Sequence, residues 1–76
     1  MNDHTRAQLK ARLQASNDFA DGGSLGPTGA RPASAWAKWY WDQVDVIKNY
    51  PGDYRAQVNF ARVLADTYKK ELATQT

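Results

Sequence analysis

The chain has 76 residues, no cysteine, and ten lysines and arginines against eight acidic residues, for a net charge of +2. That length fits one small domain and excludes a multidomain enzyme, and the cysteine count excludes a disulfide scaffold or a thiolate–metal fold. A chain this short buries only roughly 60% of the surface it would expose unfolded, so contact with a partner would add materially to its stability.

Asn2 or Asp3 is suited to cap a helix running to about Ala20, where Asp21-Gly22 supplies a stop. At 100° per residue, Leu9, Leu13, Ser16 and Ala20 fall on one side, while Ala11, Ala15 and Phe19 fall elsewhere. The apolar face of this N-terminal amphipathic helix (1–20) therefore reads as thin, and the sequence favours its ordering with help from a partner. His4, the single histidine, sits in the first turn and is expected to be solvated.

Residues 21–33 hold four of the five glycines and two of the three prolines. Glycine tolerates positive φ and proline lacks a backbone donor, so this segment is predicted to be a linker. Ser34 then caps a second helix reaching about Tyr50, which Pro51-Gly52 ends before Asp53 caps a third helix to about Leu72. The sequence thus predicts an all-α fold: a helical hairpin over 34–73, a weaker N-terminal helix, and a short tail at 74–76.

In the second helix the apolar side chains span more than half the circumference, in the angular order Val46, Trp39, Tyr50, Trp36, Ile47, Tyr40, Val44, Ala37 and Trp41. One neighbouring helix does not cover so wide an arc. Trp36 and Tyr40 align with Val44 and Ile47 and are assigned to the core, leaving Trp39 and Trp41 on its two flanks as candidate protein-binding residues. In the third helix Tyr54, Val58, Ala61, Leu64, Ala65, Tyr68 and Leu72 form the expected core stripe, with alanines placed to receive the rings of the second helix. Phe60 and Val63 lie away from that stripe and complete the candidate docking set.

Arg55, Arg62 and Lys69 recur every seven residues along one edge of the third helix, a ridge suited to phosphates or an acidic partner. Asp66 lies four residues from both Arg62 and Lys70, so intrahelical pairing accounts for part of the pattern. Convergent acid–base or nucleophile groups, phosphate-loop spacing and metal-ligand clusters are missing from the pattern, so neither an enzyme nor a cofactor is expected. No run of about 18 apolar residues predicts a membrane span, and no secretory signal pattern opens the chain. The expectation is a noncatalytic adaptor, inhibitor or structural subunit that binds a larger protein or its own copies, in the cytoplasm or in a virion or other particle. Nucleic-acid binding through the basic ridge is the second expectation.

Overall fold

The computed structural model describes residues 2–22 and 34–74, which form three helices: α1 (Asp3–Ala20), α2 (Ala35–Lys48) and α3 (Tyr54–Ala73). The all-α architecture, with an α2–α3 hairpin and an N-terminal helix, matches the sequence pattern. The expected Gly/Pro-rich linker lies, from residue 23 onward, outside the described residues, as do the last two residues of the tail.

Each helix begins at a residue whose side chain takes over an orphan amide. Asn2 Oδ1 accepts from the Thr5 amide at 2.8 Å, Ser34 Oγ from Ala37 at 3.1 Å, and Asp53 Oδ1 from Ala56 at 2.9 Å. All three caps have extended backbone, the conformation that turns a side-chain acceptor back onto the first helical turn. Between α2 and α3, Gly52 has φ of +127°, and a Cβ there would stand 2.8 Å from the Ala56 Cβ. The tight reversal into the Asp53 cap therefore requires glycine.

Packing corrects the reading of α1. Leu9, Ala11, Ala15, Ser16 and Phe19 are its buried residues, whereas Leu13 and Ala20 are half-buried. Three of the five are small and Ser16 is polar, so the stripe carries little hydrophobic signal, yet small side chains let two helices approach the α1 backbone closely. Ser16 satisfies its hydroxyl on the Arg12 carbonyl at 2.8 Å, which removes the cost of burying it. Most interhelical contacts in the described fold involve α1, and α2 and α3 touch each other far less. The N-terminal helix is thus the element on which both arms of the hairpin rest, and its order does not wait for a partner.

Helix directions follow from the contacts. Going along α1, His4 meets Trp39, Ala15 clusters with Tyr40 and Val44, and Phe19 clusters with Ile47, so α1 and α2 run parallel. The Phe19 ring also lies tilted against Tyr54 and clusters with Ala61, while Leu13 and Asn17 face Ala65 and Lys69, so α3 runs antiparallel to α1. Ala61 was expected to receive a ring from the second helix. Its cluster instead holds Phe19 of α1 beside Ile47, because α1 occupies the space between the hairpin arms.

Two substitutions test this packing. Phe19→Ala removes the ring that joins all three helices at the turn end, and should cost about 3–5 kcal/mol, enough to unfold a domain this small in a urea titration. Gly52→Ala should cost about 1–3 kcal/mol through backbone strain and the clash with Ala56, read as a lowered urea midpoint at unchanged slope.

Candidate functional site

Tyr40, Val44, Ile47 and Ala37 fill the middle of the wide α2 apolar arc and are fully buried. Tyr40 carries a polar handle into that core. Its hydroxyl donates to Asp18 Oδ2 at 2.6 Å, and Asp18 Oδ1 accepts from Gln14 Nε2 at 2.8 Å. This network fixes the rotation of α2 against α1, and the rotation decides which end of the arc is covered.

The covered end is the one bearing Trp41. Its ring is half-buried, packs against the cluster of Ala15, Tyr40 and Val44, and meets the Tyr40 ring edge-on at 5.4 Å. The opposite end is left open. Trp36, assigned from sequence to the core, is 38% exposed and stacks at 5.3 Å on the outer side of Tyr40. Its position at the edge of the arc, beyond the reach of α1, accounts for the difference. Val46 is 51% exposed, and Tyr50 is exposed at the end of the helix. Trp39 is half-buried, with the His4 ring set edge-on against it at 5.1 Å.

On α3, Phe60 is half-buried: it packs against the Phe19–Ile47–Ala61 cluster on one side and against Tyr50 on the other, ring centroids 4.3 Å apart, neighbours that the spacing alone did not reveal. Val63, one turn further on, is 62% exposed. The Tyr50–Phe60 pair joins two rows into one face: Trp36, Trp39, Val46 and Tyr50 along α2, then Phe60 and Val63 along α3. Of the four residues singled out from sequence, Trp39, Phe60 and Val63 belong to this face and Trp41 lies on the other flank of α2. Trp36, Val46 and Tyr50 were not singled out, although positions 36, 39, 43, 46 and 50 follow the three-and-four alternation of a helix seam.

The central position of that seam is polar. Gln43 is buried, and among the described residues its amide nitrogen has no hydrogen-bond partner. An orphaned buried donor of this kind costs about 1–3 kcal/mol.

Arg55, Arg62 and Lys69 are all exposed on the edge of α3 away from this face. Among the described residues no three histidine or carboxylate side chains gather as a metal site, and no helix is long and apolar enough to cross a membrane. The chain matches no protein-family model, and neither curated proteins nor solved structures include a match to it.

The core and the face separate by mutation. Tyr40→Phe should cost about 1.5–3 kcal/mol, since it deprives the Asp18 carboxylate of its donor, whereas Trp36→Ala should change stability by about 0.5 kcal/mol or less. Urea titrations of the two variants measure both, and equal losses would show that Trp36 belongs to the core.

Proposed function

We propose that the protein is a noncatalytic docking module that presents the Trp36–Trp39–Val46–Tyr50 row and the adjoining Phe60 and Val63 to a larger protein. The single observation behind this reading is that four of the five exposed large apolar side chains among the described residues, Trp36, Val46, Tyr50 and Val63, fall on one face, with Tyr54 alone standing apart against Phe19. Exposed apolar residues scattered singly need no explanation, but a joined row of aromatic and β-branched side chains marks a contact surface. Tryptophan and tyrosine are the residues that most often dominate binding energy.

The α2 row runs about 15 Å along the helix from Trp36 to Val46 and continues to Tyr50 just past its C-cap, which suits the apolar side of an amphipathic helix laid along it. Gln43 sits in the middle of the row. A polar group on the partner would recover the hydrogen bond that its amide lacks in the isolated chain, after a change of rotamer, and would thereby fix register. Such a module serves as an adaptor, an inhibitor or a structural subunit of a larger assembly, including a virion or similar particle. Copies of the same chain are the other protein partner that this face accommodates.

The test is affinity capture with the intact protein and with a Trp36→Ala/Val46→Ser/Val63→Ser variant whose circular dichroism is unchanged. A partner held by the native chain should be lost, or weakened at least tenfold, in the variant, and retained by Arg62→Gln. Light scattering over a concentration series reads self-association through the same face. Equal capture by the native and triple-variant proteins would contradict the assignment.

A further inference from the structure

The edge of the molecule formed by α1 and α3 has a different chemistry. Arg55, Arg62 and Lys69 lie at two-turn intervals along α3, about 10 Å apart and about 21 Å from first to last. Pairing of Asp66 with Arg62 or Lys70 was expected to account for part of this ridge. In the structure Asp66 engages Lys70, 3.0 Å away, and among the described residues Arg55, Arg62 and Lys69 make no ion pair. The ridge is therefore not neutralised from within its own helix.

A second basic row stands beside it. Leu13 and Asn17 of α1 and Ala65, Asp66 and Lys69 of α3 line an open cleft of about 360 Å³. Lys10 and Arg6 continue the Leu13–Asn17 line toward the start of α1, one and two turns further along; Arg6 has a partner of its own, so Lys10 is the side chain that this line adds to the ridge. Because α1 and α3 are antiparallel, this places them past Lys69 on the same side of the molecule. Asp66 is the acid that lines the cleft, and along α3 Asp53 and Glu71 stand two residues from Arg55 and Lys69. By contrast α2 is charge-balanced, with Lys38 held by Asp42 at 2.9 Å and Lys48 offset by Asp45. Four basic side chains, Arg55, Arg62, Lys69 and Lys10, thus stand along one edge.

We infer that this α1/α3 edge binds the phosphate backbone of double-stranded nucleic acid, without regard to sequence. Single-stranded binding uses rows of aromatic rings on which bases stack, whereas between Asn59 and Ala73 the edge carries Arg62, Asp66, Lys69 and Lys70, and its exposed ring, Tyr54, stands alone at the far end, tilted against Phe19. Long basic side chains at intervals of about 10 Å along a straight helix are spaced to reach separate, non-successive phosphates of a rigid duplex, contacts that hold the backbone and carry no sequence information. The inference is independent of the docking face, which lies on the α2 side of α3.

The experiment is fluorescence anisotropy of a labelled mixed-sequence 24-base-pair DNA duplex titrated with the intact protein between 20 and 200 mM KCl. Three or four phosphate contacts give a slope of log affinity against log salt of about −2.7 to −3.6. Arg62→Gln should reduce the magnitude of that slope by about 0.9, and Arg55→Gln/Arg62→Gln/Lys69→Gln, all exposed positions, should abolish binding while helicity is kept. The docking-face variant Trp36→Ala/Val46→Ser/Val63→Ser should bind the duplex as the native chain does. The proposal is overturned if the duplex is not bound at 20 mM KCl, or if the ridge variants bind like the native protein. It is equally overturned if loss follows the docking-face variant, or if single-stranded DNA, polyglutamate or phosphatidylserine vesicles bind more tightly than the duplex.

Discussion

The fold depends on the close approach of two helices to the small-residue face of α1. Ala11, Ala15 and Ser16 present almost no side-chain volume, so α2 and α3 seat on either side of the same backbone and Phe19 fills the corner where all three meet. Burial of large side chains is limited: half of the buried apolar residues are alanine, and only Leu9, Phe19, Tyr40, Val44 and Ile47 are larger. A core this lean gains from each well-made contact, which is why the Tyr40–Asp18–Gln14 network matters as much for orientation as for energy.

From that seating follows the division of the α2 apolar arc. A helix flanked by one wide neighbour buries the middle of its arc and whatever lies toward that neighbour. Ile47, Tyr40, Val44 and Ala37 are taken into the interior, Trp41 leans in from one flank, and Trp36, Val46 and Tyr50 remain on the other. The same geometry leaves Phe60 and Val63 beside them on α3. The basic edge lies on the opposite side of α3, against α1, so one chain carries two chemically distinct surfaces.

Much of this was legible in the residues. Asn2, Ser34 and Asp53 announce the helix starts because a short polar acceptor before an apolar-periodic run has few other uses, and Pro51-Gly52 announces the reversal. The excess width of the α2 arc was also visible, and with it the need for surface outside the hairpin. The role of α1 was not, because an alanine and serine stripe gives a weak amphipathic signal while permitting the closest packing. Leu9 and Leu13 drew the predicted face to one side, whereas the buried face runs through Ala11, Ala15 and Phe19. Assigning Trp36 inward failed for a related reason, and Trp41, expected on an outer flank, is half-buried against the core cluster. Periodicity orders the arc but does not say which end a neighbour covers, and only the contact with α1 settles that.

The most direct measurement of the arrangement is residue-resolved amide hydrogen exchange on the intact protein. If α1 is the helix on which the others rest, the amides of residues 9–19 should open only with global unfolding and share the highest protection with the middle of α2 and α3. Rapid exchange throughout α1, alongside a protected α2–α3 pair, would mean that the hairpin stands without it, and would contradict the derivation of both surfaces.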